Sequence, residues 1–96
     1  MNRIHLVRTS AFSHNDYAQC VDILQSSDTI VLLDDGCYNL GHPLTNKALN
    51  VISSDLFYVI GSHKEARALT DENVNTITMN ELVNLIAQSS GTITWQ

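Results

Sequence analysis

Two short apolar runs that end abruptly constrain the fold of this chain more than any other feature. Residues 29–33 (Thr-Ile-Val-Leu-Leu) and residues 56–60 (Leu-Phe-Tyr-Val-Ile) are continuous and rich in β-favouring side chains, and polar or glycine residues follow each directly. A run without polar alternation predicts a strand buried on both faces, as in a parallel sheet. Parallel strands need crossover connections, so the sequence between the runs is expected to contain helices.

Helical spacing of apolar residues appears between the predicted strands. The apolar positions are Tyr17, Cys20, Val21 and Leu24 in the first helix, Leu44, Ala48, Leu49 and Ile52 in the second, and Leu82, Val83, Leu85 and Ile86 in the last. A serine or threonine followed three residues later by an acidic residue predicts capping boxes at Ser13, Ser62 and Thr78. The box at Ser62 predicts a short third helix, and Gly91 is expected to end the last one.

Further strands complete an alternating order of strand and helix. Ile4–Val7 and Thr76–Thr78 predict short strands, and Thr92–Trp95 predicts an edge strand or a strand that pairs with a neighbouring subunit. The order predicts a single α/β domain over residues 1–96, a small sandwich with a mainly parallel sheet of about five strands. Functional sites of such sheets lie beyond the carboxyl ends of the strands. The segments concerned are Thr9–His14, Asp34–His42, Gly61–Lys64 and the stretch after Thr78.

Charge and hydropathy exclude several classes of function. Ten acidic residues against five basic ones give a net charge of −5, which leaves no basic surface to attract nucleic acid directly. No apolar stretch approaches the length of a membrane span, and no signal segment is present, so we expect a cytoplasmic protein with no membrane contact. In that compartment Cys20 and Cys37 are expected to be free thiols.

No cofactor or metal motif appears in the sequence. The four glycines stand alone, which excludes a glycine-rich dinucleotide loop, and Gly36 is expected to permit a sharp turn. Asp34 and Asp35 resemble part of a cation site, but the further acidic residue and lysine that such a site needs are missing. The four histidines lack the spacing of a zinc motif, although His14, His42 and His63 fall in the predicted carboxyl-end segments. We therefore expect no cofactor and no metal.

The two cysteines are the candidate catalytic residues. Cys20 lies on the apolar stripe of the first helix, where a thiol is most often a packing group. Cys37 follows the predicted turn at the carboxyl end of a strand, a better place for a nucleophile, although the nearby carboxylates should raise its pKa. Position favours Cys37 narrowly, and neither cysteine carries a specific motif.

Several segments together resemble the DsrH/TusB-like family of small sulfur-relay subunits. The resemblance rests on Ile4-His5-Leu6-Val7 with the following Arg8-Thr9-Ser10-Ala11-Phe12, on Val31-Leu32-Leu33-Asp34-Asp35-Gly36-Cys37-Tyr38, on Leu56-Phe57-Tyr58-Val59-Ile60-Gly61, on Lys64-Glu65-Ala66-Arg67-Ala68-Leu69, and on Trp95. These segments span nearly the whole chain, and their order, spacing and total length agree with the family.

The resemblance implies a flavodoxin-like, DsrEFH-like fold and a role in a complex. Members of the family join two related sister subunits, TusC/TusD-like, in a dimer of heterotrimers. The TusBCD type passes persulfide sulfur to a downstream sulfur carrier protein for 2-thiolation of the wobble uridine in tRNA, and the DsrEFH type serves sulfur oxidation. The main persulfide-bearing cysteine belongs to a sister subunit, which implies a structural and partner-binding role for this chain.

The resemblance leaves the individual site residues open. DsrH-like members share a cysteine in the first helix, so Cys20 could carry persulfide in an alternative role in dissimilatory sulfur oxidation. Lys64 and Arg67 match the basic part of the late motif, and with Trp95 they are candidate partner-binding residues; a solvated helix face is the other interpretation of the two basic residues. A homo-oligomer of the isolated chain, and a ligand-binding flavodoxin-like domain unrelated to sulfur, also stay open.

Overall fold

Five parallel strands form one sheet. The computed structural model describes residues 2–70 and 74–96. The strands are β1 (Arg3–Val7), β2 (Thr29–Leu32), β3 (Phe57–Ile60), β4 (Asn75–Ile77) and β5 (Gly91–Trp95). Hydrogen-bonded neighbours follow the order β4-β3-β2-β1-β5, and each neighbouring pair is parallel. The predicted α/β class with a parallel sheet of five strands is confirmed.

Helices connect successive strands. They are α1 (Asp16–Ile23), α2 (Pro43–Leu49), α3 (Gly61–Ala66) and α4 (Met79–Gln88), with 3-10 helices at Asp34–Gly41 and Ser54–Leu56. Within the described residues, no helix has both the length and the apolar content needed to cross a membrane.

The two faces of the sheet carry separate apolar cores. On one face, side chains of β1, β2 and β3 pack against α1 and α2; its fully buried members include Val7, Ile30, Leu32, Phe57 and Val59 from the strands and Tyr17, Cys20 and Ala48 from the helices. On the other face, Ile4, Val31, Ile60 and Ile77 pack against Leu82 of α4. Helices on both faces give the three layers of the predicted flavodoxin-like fold, which is confirmed.

Parallel pairing brings the carboxyl ends of the strands to one edge, as the sequence predicts. Residues 9–14 follow β1, residues 34–42 follow β2, and α3 follows β3 directly. The amino-terminal turn of α4 follows β4. We call this side of the sheet the carboxyl edge.

One of the three predicted capping boxes is confirmed. Thr78 accepts a hydrogen bond from Glu81 N–H (3.1 Å), and the Glu81 carboxylate accepts one from Thr78 N–H (3.1 Å). The box at Ser13 is wrong: α1 begins after Asn15, and the carboxylate of Asp16 is engaged by the Thr9 hydroxyl at 2.8 Å. The box at Ser62 is also wrong, because α3 begins at Gly61 directly from the end of β3.

Three predictions, which concern Gly36, Val83 and Gly91, need correction. The segment after β2 is a 3-10 helix, and Gly36 is required there by close packing, because a Cβ on it would lie 1.9 Å from the Val7 carbonyl oxygen. The spacing predicts Val83 on the apolar side of the last helix, yet it is 60% exposed, since α4 turns Leu82 toward the sheet. That helix ends at Gln88, and Gly91 is the first residue of β5.

Candidate functional site

Charged side chains and one imidazole from three successive connections meet at the carboxyl edge. Arg8 follows β1, Asp34 and Asp35 open the 3-10 helix after β2, and His63 and Arg67 come from α3 and its end. We call these five residues the carboxyl-edge cluster. Arg8, Asp34, Asp35 and Arg67 line an open cleft of about 340 Å³ together with Thr9 and Gln96.

The four charged side chains of the cluster form two ion pairs. Arg8 Nε donates to Asp34 Oδ2 at 2.8 Å, and Arg8 Nη1 donates to the side chain of Gln96 at 2.8 Å. Arg67 donates from Nε and Nη2 to Asp35 Oδ1 at 3.1 and 3.0 Å. The Asp35 side chain is 64% exposed, so water screens this pair, whereas the Arg67 side chain is 23% exposed and also donates from Nη1 to the His63 carbonyl oxygen at 3.1 Å.

Histidines at the carboxyl edge act as hydrogen-bond acceptors. His63 Nδ1 accepts from Asp34 N–H at 2.9 Å, and His42 Nδ1 accepts from Leu44 N–H at 3.1 Å and so caps α2. An accepting Nδ1 places the ring proton on Nε2, which makes both rings neutral in this arrangement. Asp34 has φ 52°, the left-handed region, and its contact with His63 helps to hold that conformation.

Cys37 lies beneath this edge and is fully buried. Its thiol lies 3.9 Å from the Leu32 carbonyl oxygen. Burial raises the pKa of Cys37 to about 11; the Arg67 charge lowers that pKa, and the charges of Asp34 and Asp35 raise it further. The position predicted for a nucleophile therefore holds a thiol that is protonated at neutral pH.

Cys20 lies elsewhere, on the inner side of α1, and is also fully buried. Burial raises the pKa of Cys20 to about 12, the negative charge of Asp28 raises it further, and Arg3 lowers it. The two candidate catalytic thiols therefore belong to different electrostatic surroundings, and the cleft at the carboxyl edge exposes neither.

The three predicted partner-binding residues are spread over the molecule. Arg67 belongs to the carboxyl-edge cluster, and its guanidinium lies 6.0 Å from the centre of the Tyr38 ring. Lys64 reaches the other way and donates to Thr76 Oγ1 of β4 at 3.2 Å. Trp95 is half-buried on β5, at the opposite end of the sheet order.

A buried polar network was missed by the sequence reasoning. Trp95 Nε1 donates to His5 Nδ1 at 3.1 Å, and His5 Nε2 lies 2.9 Å from Asp28 Oδ2. Asp28 also accepts from Arg3 Nη2 at 3.0 Å and from Gln25 N–H at 3.1 Å. The signals were present: a histidine inside an apolar strand, and an aspartate directly before a fully buried one. We call Arg3, His5, Asp28 and Trp95 the buried network.

Hydrogen bonding sets the charge state of the buried network. Because His5 accepts from Trp95, its proton lies on Nε2 and is donated to Asp28, so the ring is neutral. Burial alone would raise the pKa of Asp28, but hydrogen bonds from His5, Arg3 and Gln25 outweigh it and hold that pKa below its ordinary value. Asp28 is therefore an ionised carboxylate satisfied by three donor groups.

Comparison with known proteins identifies the family. The model of the DsrH family, described as "DsrH like protein", matches residues 9–91. The chain belongs to the DsrH-like family. No curated protein sequence matches it. Membership connects this DsrH-like chain to sulfur relay and to the multi-subunit complexes that perform it.

A solved structure supports the same fold. The DsrH-like chain is similar to the solution NMR structure of protein Tm0979 from Thermotoga maritima, with a TM-score of 0.63 and 21% sequence identity. The alignment covers 88% of this chain and 91% of that one. Among the residues that the structure describes, no group of three or more His, Cys, Asp or Glu side chains is placed to hold a metal ion.

Proposed function

We propose that this chain is a partner-binding subunit of a cytoplasmic sulfur-relay complex for 2-thiolation of the wobble uridine in tRNA. In this proposal two sister subunits, TusC/TusD-like, join it in a dimer of heterotrimers, and a downstream carrier protein takes the sulfur onward. The observation that carries the proposal is the complete burial of both thiols. A subunit without an accessible thiol contributes to a relay by holding its partners.

The chemistry of persulfide transfer supports this role. A persulfide carrier attacks the donor sulfur with an accessible thiolate, and its reactivity depends on the ionised fraction. Burial raises the pKa of Cys20 to about 12 and that of Cys37 to about 11. Only a very small fraction of either thiol is ionised at neutral pH, and neither has a path to a donor without local opening.

The carboxyl edge is the surface that we assign to a partner. Tyr38 is 41% exposed beside Arg67, and Phe12 is 66% exposed and packs edge-on against His42 with ring centroids 4.8 Å apart. Aromatic residues and arginine are enriched at protein interfaces. Arg67 is the contact residue in this proposal, since Asp35 is exposed and a carboxylate of the partner can take its place beside the guanidinium.

The function is tested in a host strain that lacks this gene. We expect bulk tRNA to lose 2-thiouridine, and we expect wild type, Cys20→Ala and Cys37→Ala to restore it, because packing thiols can be replaced by another small apolar group. Rescue that fails only for Cys20→Ala, with the variant protein folded and at normal abundance, would favour the alternative in which Cys20 carries persulfide. If 2-thiouridine persists in the deletion strain, the tRNA assignment is wrong and sulfur oxidation becomes the leading pathway.

The partner surface is tested by copurification with the coexpressed sister subunits. Arg67→Ala should reduce recovery of the complex several-fold. Lys47→Ala is the control, because Lys47 is an exposed cation on α2 that lies away from the carboxyl edge and also contacts an exposed carboxylate, that of Asp22 at 3.7 Å. Equal recovery of both variants would contradict the assignment of the carboxyl edge.

A further inference from the structure

The two edges of the sheet differ in how well they are protected. β4 has three residues, and the Asn75 side chain there donates to the carbonyl oxygens of Ser54 and Phe57 at 3.0 and 3.4 Å. β5 has five residues, Gly-Thr-Ile-Thr-Trp, with no charge and no proline. Natural edge strands usually avoid pairing with other chains through charges, proline, bulges or short length. The β5 edge has none of these devices.

The outer edge of β5 presents main-chain groups that no other described strand pairs with. Arg8 N–H donates to the Trp95 carbonyl at 3.1 Å, and Val7 is the register partner of Trp95. Trp95 therefore directs its main-chain groups toward β1, and by the alternation of a strand Ile93 and Gly91 do the same. Thr92 and Thr94 direct theirs away from β1, where β5 ends the sheet.

The sequence of β5 is complementary to itself in the antiparallel sense. If a twofold axis passes through Ile93, Thr92 of one copy lies opposite Thr94 of the other, and their outward groups form two hydrogen-bonded pairs. Threonine pairs stabilise neighbouring strands. In the same register Gly91 lies opposite Trp95, and an aromatic side chain across from a strand glycine covers the gap that the glycine leaves.

Charge favours a second copy of the chain as the occupant. The chain has a net charge of −5, so two copies repel one another overall, and a contact between them is favoured where the surface is uncharged. Residues 91–95 carry no charge, and the twofold pairing places neutral side chains against neutral side chains. A partner recognised through opposite charge would find nothing to pair with on this strand.

We propose that β5 pairs antiparallel with β5 of a second copy, which joins two five-stranded sheets into one continuous sheet around a twofold axis at Ile93. The contact is isologous, as is usual for dimers of identical chains. It does not depend on the proposed function, because it is a property of the isolated chain.

Sedimentation of the purified full chain over a range of concentrations tests the proposal. Thr94→Pro removes the outward N–H while keeping an edge position that tolerates proline. The symmetric pair then loses two of its four hydrogen bonds, and the dimer dissociation constant should rise at least about tenfold. Thr94→Val is the matched control, since it keeps the N–H and the β-branched shape and should remain dimeric. Circular dichroism verifies that both variants are folded.

A disulfide across the axis gives a second test that does not depend on the stability of the dimer. Directly opposed residues that share no hydrogen bonds in an antiparallel pair have Cα atoms about 4.5 Å apart, within the range that a disulfide spans. Ile93→Cys should therefore form an intermolecular disulfide with oxidised glutathione, whereas Val83→Cys, 60% exposed on α4, should not. The native thiols are buried and do not compete.

Three results would overturn the proposal. The first is a wild-type chain that stays monomeric at every concentration. The second is cross-linking of Ile93→Cys that is no faster than that of Val83→Cys. The third is a monomeric chain whose β5 edge is occupied by a sister subunit in a reconstituted complex, which would assign the edge to a different partner.

Discussion

The buried network and the carboxyl-edge cluster are built from the same kinds of residue and behave in opposite ways. Each contains arginine, aspartate and histidine, and each influences one cysteine, Cys20 in the first region and Cys37 in the second. Asp28 is fully buried, whereas the Asp35 side chain is 64% exposed. Burial makes the first set of contacts obligatory for folding, and solvent leaves the second free to be exchanged for contacts with another protein.

Removal of Asp28 should have the largest effect on stability. Asp28→Ala leaves His5, Arg3 and the Gln25 N–H without their common acceptor in the interior, and the free energy of unfolding should fall by about 3–5 kcal/mol. Urea denaturation measures the change. Asp22→Ala is the control, because Asp22 is exposed and its ion pair with Lys47 is long, at 3.7 Å. An equally small loss in both variants would show that the buried network does not hold the strands together.

The same carboxylate predicts an acid limit to stability. The pKa of Asp28 in the folded chain lies below its ordinary value of 3.8, so its contribution is fully present above that value and is lost as the pH falls through the lower, folded-state pKa. Stability should therefore decline below about pH 4. Asp28→Asn should start less stable and show a shallower decline, and parallel curves for the two proteins would contradict this cause.

At the carboxyl edge the backbone of Gly36 packs closely against β1, although the charged side chains nearby are partly solvated. Gly36→Ala would place a Cβ 1.9 Å from the Val7 carbonyl oxygen, so the backbone has to shift and the free energy of unfolding should fall by about 1–3 kcal/mol. Gly41→Ala is the matched control in the same 3-10 helix, because a Cβ there has nothing within 4 Å. Equal stability of the two variants would mean that the close approach of Gly36 to β1 is relaxed in solution.

Removing the indole N–H of Trp95 from the buried network should lower the free energy of unfolding by a smaller amount. Trp95→Phe keeps an aromatic ring on β5 but removes the N–H that His5 Nδ1 accepts, and the cost should be about 1 kcal/mol at a fixed protein concentration. Tyr38→Phe is the control, since that exposed ring keeps its contact with Arg67. Unchanged stability of Trp95→Phe would show that water replaces the indole as donor.

The sequence predicted the layers of this fold much better than its local contacts. The spacing of apolar residues along the sequence reflects which positions are buried. Residues 29–33 and 56–60 are continuous apolar runs because they contain the buried central strands, and the spacing correctly placed Cys20 on the inner face of α1. Capping depends on where a chain enters its helix, which tertiary contacts decide. At Asp16 the Thr9 hydroxyl engages the carboxylate, and at Ser62 the helix has already begun one residue earlier.

The carboxyl-edge cluster and the buried network show the same division. The rule for carboxyl ends of parallel strands found the segments that hold Asp34, Asp35 and His63, because topology alone brings them together, but the predicted ranges did not include Arg8 and Arg67. No local pattern joins His5 to Asp28 and Trp95, which are 23 and 90 residues away along the chain. Only the register of β1 with β2 and β5 makes them neighbours.

Removing either member of the Asp35–Arg67 ion pair should change stability little, and the two removals should change the reactivity of the Cys37 thiol in opposite directions. Asp35→Ala breaks an ion pair whose carboxylate is exposed and should cost less than about 1 kcal/mol, and Arg67→Ala, which also loses the hydrogen bond to the His63 carbonyl oxygen, should cost about 1 kcal/mol. The Asp35 charge raises the pKa of Cys37 and the Arg67 charge lowers it, so alkylation of Cys37 by iodoacetamide should become faster in Asp35→Ala and slower in Arg67→Ala. Cys20, fully buried on α1, should keep the same alkylation rate in both variants. Changes in the same direction at Cys37 would mean that opening of the edge, and not its charge, controls access to this thiol.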